Sequence, residues 1–365
     1  MNNSIVTFGE IMGRISAPGS SRFIQALPGA MDFTFGGGEA NVAVSLAMLG
    51  AHARFVTALP KNALADACVM KLRGLGVDTA HIVRPAGGRL GLYFLEAGSN
   101  QRPSNVIYDR DQSSLMITPP QSYDWDKIFR NASWFHFTGI TPALSENAAL
   151  ATLAAVKAAN DAEATVSCDL NFRKKLWNWR EGTKPRDLAE ETMRALLPYV
   201  DVVIANEEDA EQVLGIHAAG TDVESGKLNV DAYCDVAAQV VDQFKNLSKV
   251  AITLRQSISA DHNNWGGLLY DTDGMISYLA PLNKKGDYTP YEITDIVDRV
   301  GGGDSFAAGL IYALTTPALS APDTAIRFAV AASCLKHSIY GDFNYTNRAE
   351  VEALMGGKGS GRVNR

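Results

Sequence analysis

Two glycine runs, each leading into a helix-like pattern, are the strongest chemical signals in the sequence. DRVGGGDSFAAGLIYAL at 298–314 places Gly301, Gly302 and Gly303 directly before Asp304, and FGGGEANVAVSLAMLG at 35–50 places Gly37 and Gly38 ahead of Asn41. The first turn of a helix has N–H groups without carbonyl partners, at the positive end of its dipole, so both runs suit an anion. Asp304 adds something a simple phosphate cradle does not need. A carboxylate at a helix entrance is an ordinary N-cap. Beside three glycine N–H groups it is also placed to take the proton of an attacking hydroxyl while the glycines hold a phosphoryl group, the division of labour that phosphoryl transfer requires. Gly309 lies inside the same helical pattern at a cost of about 1 kcal/mol relative to alanine, which predicts a close approach to this helix. Neither run completes GxGxxG, and GGKGSG at 356–361 has neither the spacing nor the preceding strand of a P-loop. The six histidines show no HxxxH, HExxH or HxH spacing, so a dedicated protein-ligand metal site is not expected.

A second signal is the placement of cations in an acidic chain. With 33 Lys plus Arg against 40 Asp plus Glu the formal charge is −7, which lacks the electrostatic footprint of a nucleic-acid binder. NFRKKLWNWR at 171–180 nevertheless concentrates Arg173, Lys174, Lys175 and Arg180, and Arg102 and Arg110 lie in a hairpin pattern further upstream. Most such charges belong to a solvated face. Arginine is the residue suited to bidentate carboxylate or phosphate recognition, which makes Arg173 and Arg110 the candidates for an acidic substrate.

DRVGGGDSFAAG resembles the DTxGAGDxFxxG signature of the ribokinase-like (PfkB) carbohydrate kinases, and FGGGEANVAVSLAMLG resembles their N-terminal GGxxxNxAxxLxxLG signature, in the family's order and near the chain ends. The likeness extends through VTALPKNALADACVMKLRGLGVDT, FHFTGITPALS, CDLNFRKKLW and ANEEDAEQVLG, from Ile5 to about Ala353. Within the family, GLYFLE, GITPALS and DLNFRKKLW are most similar to kinases of 2-keto-3-deoxygluconate.

The resemblance implies a role for each matching position. Asp304 corresponds to the catalytic base, and Gly301, Gly302 and Gly303 to the anion hole. Gly37 and Gly38 correspond to a diglycine that meets the sugar, and Asn41 to the family asparagine of that segment. Tyr93, Tyr108 and Arg110 correspond to lid residues facing substrate, although on pattern alone the tyrosines are equally ordinary hairpin aromatics. Arg173 corresponds to an arginine near both substrate and phosphates, with Asn171 beside it, and Asp342 to a substrate-side carboxylate. Asn206 opens the NxxE element, in which Asp209 stands in place of Glu and would reach a metal only through water. Arg299 replaces a usual Thr and Gly302 a usual Ala, and TLRQSISADHNNWGG at 253–267 departs from the family's short turn over the nucleotide, where Arg255 is expected to meet a phosphate. ATP, Mg2+ and a monovalent cation such as K+ are the implied cofactors.

The elements that must position these residues follow from hydrophobic periodicity. Short apolar strands (5–10, 54–60, 249–254) alternate with helical patterns over most of the chain, which predicts right-handed βαβ units. The fold class expected is a three-layer α/β/α doubly wound sheet, ribokinase-like, with a small β-sheet lid. Alternating runs at 89–111 read as a hairpin, and with 10–35 they form the expected lid. Residues 1–355 are expected to form a single kinase domain that includes this lid, and 356–365 is an expected disordered tail. Exposed lid edges predict a homodimer through the lid.

MNNSIVTFGE carries no basic-then-apolar leader, and no run approaches the roughly 18 apolar residues of a membrane span. Four widely spaced cysteines, at 68, 168, 234 and 334, read as free thiols of a reducing compartment. A cytoplasmic enzyme is expected, acting on a small sugar acid and ATP, with no membrane and no nucleic-acid partner. The alternatives are a kinase of fructose, ribose, 5-keto-2-deoxygluconate or 2-keto-3-deoxygalactonate, or a catalytically silent sugar-binding relative.

Overall fold

The computed structural model describes residues 3–206, 209–216 and 229–357. The expected tail therefore lies, from 358 onward, outside the described residues. The strands in chain order are β1 Ser4–Phe8, β2 Met12–Ser16, β3 Asp32–Gly36, β4 Ala53–Val56, β5 Gly91–Glu96, β6 Asn105–Asp109, β7 Ala132–Thr138, β8 Thr165–Asp169, β9 Val202–Ala205, β10 Lys249–Ser257, β11 Asn263–Asp271, β12 Ile276–Ala280 and β13 Tyr291–Ile293. The longer helices are α1 Gly38–Met48, α2 Ala63–Gly74, α3 Glu146–Asp161, α4 Pro185–Leu196, α5 Val230–Gln243, α6 Gly302–Thr315, α7 Pro322–Lys336 and α8 Arg348–Met355.

The main sheet runs β12-β11-β10-β9-β8-β7-β1-β4, with β13 paired to β11. From β4 to β10 all pairings are parallel, and β11 and β12 add an antiparallel edge. Parallel strands covered on both faces must be apolar on both, and successive residues here feed two different cores. Val6, Phe135, Val203 and Ile252 pack with α3, α4 and α5. Their neighbours Ile5, Trp134, Ile204 and Ala251 pack with α1, α2, α6 and α7. The result is a three-layer, doubly wound core.

β2, β3, β5 and β6 form a separate four-stranded sheet in the order β3-β2-β5-β6. It is drawn from the two segments expected to supply a lid. The close approach predicted at Gly309 is that of α7: a Cβ there would lie 2.9 Å from the Ala329 Cα. α7 ends at Lys336. The divergent 253–267 segment extends β10 and β11 into a long hairpin. Arg299 Nη2 donates to the Ser259 and Ala260 carbonyls at its tip, at 3.0 and 2.6 Å, and the tip bonds the lid turn through Ala260 N–H to the Asn100 carbonyl at 2.7 Å.

Candidate active site

Ligands of doubly wound sheets bind outside the carboxyl ends of the strands, and the residues of interest gather there. Glu10 follows β1, Thr138 ends β7, Asp169 ends β8 and Asn206 follows β9. A cavity of about 410 Å³ opens between these ends, the first turn of α6 and the lid sheet. All of the candidate catalytic and binding residues except Asp209 line it, so positions from Gly37 to Asp342 meet in one place, whereas Arg102, Lys174, Lys175 and Arg180 do not line it.

The turn before α6 is built around Gly301, whose φ of 82° is left-handed and whose Cβ, if it had one, would lie 2.2 Å from the Asp342 carbonyl oxygen. No side chain fits there. Gly301, not Asp304, is the N-cap, which overturns the capping reading of the aspartate. The Gly302 N–H donates to the Arg299 carbonyl at 3.3 Å. The first-turn N–H groups of Gly303 and Asp304 have no helical acceptor, and together with the helix dipole they form the anion-binding end of the cavity. Alanine at position 302 would bring a methyl within 3.1 Å of the His337 Cε1, a physical reason for glycine where relatives carry alanine. His337 is itself held by the Ser333 carbonyl at 2.8 Å and packs on Trp265. Burial lowers its pKa to about 4, so the ring facing Gly302 is neutral.

Asp304 occupies the third helical position and turns its carboxylate toward α1. Asn41 Nδ2 donates to Asp304 Oδ2 at 2.7 Å, while Asn41 Oδ1 accepts from the Gly37 N–H at 3.2 Å. That second bond fixes which end of the amide points at the carboxylate. Asn41 thus orients the Asp304 carboxylate as well as lining the cavity. Burial raises the Asp304 pKa to about 6; the Asn41 hydrogen bond opposes the rise, and Asp342 adds to it. A carboxylate so poised is ionised at neutral pH yet basic enough to accept a proton.

On the lid side, Tyr93 Oη donates to both oxygens of Asp342, at 2.6 and 2.8 Å. Arg14, which the sequence did not single out, is buried behind them, with Nη1 3.0 Å from Asp342 Oδ1 and Nη2 2.6 Å from Asp298 Oδ2. Burial raises the Asp342 pKa, and Arg14 and Tyr93 counter it. Arg110 reaches the cavity wall but is already engaged, its Nε 2.8 Å from Glu10 Oε2 with Nη2 on the same oxygen. Glu10 Oε1 is buried without a partner. Tyr108 lies under the Arg110 guanidinium, 5.5 Å from it.

Just past the end of β8, Asn171 takes a left-handed φ of 36° and donates its N–H to Asp169 Oδ1 at 3.2 Å. Such a conformation in a non-glycine residue is costly and concentrates at functional sites. Arg173 donates to the Phe172 carbonyl at 3.0 Å, and Arg255 stands across the cavity. Asp209 lies behind the wall, its two oxygens accepting from the Phe172 and Asn206 N–H groups at 2.9 and 3.1 Å. Burial drives the Asp169 pKa well up, and the charges of Asp209 and Asp304 push it further. Asp169, Glu10 and Glu39 are site carboxylates that sequence reasoning missed. Their position at a strand end (Asp169), two residues past one (Glu10) or beside the GG of α1 (Glu39) was the available signal.

The sequence pattern of the pfkB family carbohydrate kinases matches residues 2–254. The 2-dehydro-3-deoxygluconokinase structure from Thermotoga maritima is 44% identical, with a TM-score of 0.87, covering 97% of this chain and 99% of that one. A 2-dehydro-3-deoxygalactonokinase of Haloferax volcanii is 31% identical over 361 residues, 99% of each chain. A fructokinase structure with bound ATP from Xylella fastidiosa, 22% identical with a TM-score of 0.74 over 98% of this chain and 99% of that one, shares the fold.

Proposed function

The chain is a member of the pfkB family of carbohydrate kinases, and from that premise we propose that this ATP-dependent sugar kinase phosphorylates the terminal primary hydroxyl of 2-keto-3-deoxygluconate to give 2-keto-3-deoxy-6-phosphogluconate. The observation that carries the choice of a sugar acid is that Arg110 from the lid and Arg173 from the core both line the cavity that holds Asp304. The full-length likeness to the Thermotoga kinase supports the gluconate-derived acid.

In this reading Asp304 accepts the proton of the hydroxyl as its oxygen bonds to the γ-phosphorus of ATP and the bond to the leaving ADP breaks. The Gly303 and Asp304 N–H groups and the α6 dipole stabilise the charge on the transferring phosphoryl group, with Gly301 and Gly302 shaping the turn. Tyr93, Tyr108, Arg110, Arg173 and Asp342 bind the sugar acid, Gly37 and Gly38 bring backbone to it, and Asn171, Arg173, Asn206 and Arg255 bind the nucleotide. Closure of the lid sheet excludes water from the reacting atoms.

Among the described residues no group of three or more His, Cys, Asp or Glu side chains is placed to hold a metal ion. Mg2+ that arrives with nucleotide phosphates needs only one or two carboxylates, the rest of its shell being phosphate and water. The crowded Asp169, with Asp209 behind it, fits that requirement. Mg2+ so held would neutralise charge on the phosphate oxygens.

Apolar groups on the outside of the lid, with Phe33 on β3 and Ile107 on the edge strand β6 both exposed, support a homodimer paired through the lid. Among the described residues no helix is long and apolar enough to cross a membrane.

A second reading, the galactonate-derived C4 epimer, is favoured by the Haloferax relative. A panel of both acids with fructose, ribose and 5-keto-2-deoxygluconate, read by ATP consumption, separates them: the proposal requires the highest kcat/KM on the gluconate-derived acid. Asp304→Asn should leave only a small percentage of that rate, and survival of the activity would remove Asp304 from the role of base. Binding of the acid without turnover would revive the silent-relative reading.

A further inference from the structure

Lys336 is a fully buried lysine directly beneath the anion-binding turn. It is the last residue of α7, and its Nζ donates to the main-chain carbonyls of Ile339 at 3.0 Å and Asp298 at 3.4 Å. A Cβ on Gly301 would lie 3.3 Å from its Cε. A buried ammonium is costly unless charge and hydrogen bonds compensate it. Burial does lower its pKa, and Asp298, Asp342 and Asp304 oppose that lowering. Asp298 in turn fixes the turn from both sides: it accepts from the Val300 N–H at 3.0 Å, from the Gly341 N–H at 3.0 Å and from Arg14.

The resemblance to the family raised a monovalent cation as a cofactor. A cation serving this turn would need oxygen ligands beside residues 298–304. Oxygens there include the Asp298 and Asp342 carboxylates and the carbonyls of Asp298 and Ile339. Arg14 takes the carboxylates and Lys336 the carbonyls, so that two side-chain cations balance two carboxylates.

We propose that Lys336 is the positioning cation of the anion hole, a tethered ammonium that holds the Asp298–Gly301 turn in place and makes a dissociable monovalent cation unnecessary. The proposal rests on Gly301–Gly303 and Asp304 acting as the phosphoryl-transfer site, and not on which sugar is accepted. Lys336 does not touch substrate; it acts through the turn.

The test is kinase activity, on whichever sugar is turned over, in KCl, NaCl and choline chloride at equal ionic strength. The wild-type rates should agree within about twofold. A rate about tenfold higher in KCl than in choline chloride, equivalent to one decade of transition-state stabilisation, overturns the proposal. Lys336→Met should lower kcat by about 100-fold, the size of a lost anion-hole contact, with KM for the sugar changing much less, and K+ or NH4+ should restore part of it. Unchanged kcat for Lys336→Met in choline chloride also overturns it. Should that variant fail to fold, the wild-type salt series still decides. Asp304→Asn measured alongside keeps the readings apart, because activity surviving there refutes the base assignment whatever the salts show.

Discussion

Asn41 and Asp304, 263 residues apart in the chain, meet through a 2.7 Å hydrogen bond that joins the first glycine run to the second. The bond favours the ionised carboxylate, and the Gly37 N–H behind it prevents the amide from flipping. Asn41→Leu removes the donor and leaves the buried carboxylate less stabilised. The expected result is a loss of about 10- to 100-fold in kcat, typical of a misplaced general base, with the acid limb of the pH–rate profile moved to higher pH. A profile with an unmoved midpoint would show that Asn41 serves only the sugar.

The wild-type profile carries its own prediction. Asp304 must be deprotonated to accept the hydroxyl proton, and its pKa is raised to about 6, with burial the largest cause. Activity should therefore be complete above that value and fall about tenfold per pH unit below it. Measurement of kcat/KM from pH 4.5 to 8 checks this; a limb centred near pH 4, the range of an ordinary aspartate, would contradict it.

Glu39 links the site to stability. Its buried Oε1 accepts from the Thr138 N–H and the Thr138 and Thr141 hydroxyls, yet burial outweighs these bonds and raises its pKa to about 7. Between the ordinary glutamate value of 4.5 and about 7 the folded state therefore holds a proton that the unfolded state has released, so stability falls as pH rises through that window. A shift of this size corresponds to about 3 kcal/mol. Glu39→Gln should raise the melting temperature at pH 8 and change it little at pH 4.5. Equal shifts at both pH values would refute the assignment.

Gly302→Ala restores the residue usual in relatives and is nevertheless expected to harm this chain, because the new methyl meets a His337 ring wedged between Trp265 and the Ser333 carbonyl. Overpacking of this kind costs about 1–3 kcal/mol. His337→Ala in the same chain should recover much of the lost kcat/KM, so the two substitutions should be non-additive by about 1 kcal/mol. Simple additivity in a double-mutant cycle would show that the contact does not matter.

What could be read in the sequence, and what could not, follows from distance along the chain. The glycine runs, Asp304 and the lid segments are local patterns, and periodicity exposes them. Arg14 carries no such mark: it sits in a lid strand, and its partners Asp298 and Asp342 lie in the last third of the chain, the latter 328 residues away. Lys336 looks like the ordinary basic end of a helix until the turn at 298–301 is seen folded over it. The alternative reading of Asp304 as an N-cap fails for a related reason. The left-handed Gly301 starts α6 earlier than the sequence suggests, which moves the carboxylate inward and toward Asn41.

Arg110 gives the sharpest test of the sugar-acid reading, because the structure presents it already bound to Glu10. A carboxylate substrate must share or displace that partner, so its net attraction to Arg110 is smaller than a free guanidinium would give. Arg110→Met removes the cation and leaves Glu10 as an uncompensated buried anion in the cavity wall. KM for the acid should then rise by about 100-fold or more, the cost of an unpaired charge of about 3 kcal/mol, with kcat less affected. Glu10→Gln in the Arg110→Met background removes the repulsion and should recover part of the affinity. For a neutral sugar such as fructose, Arg110→Met should change KM far less, since no carboxylate is lost. Equal losses on acid and neutral sugar would mean that Arg110 is there to hold Glu10 and the lid rather than to read the substrate's charge.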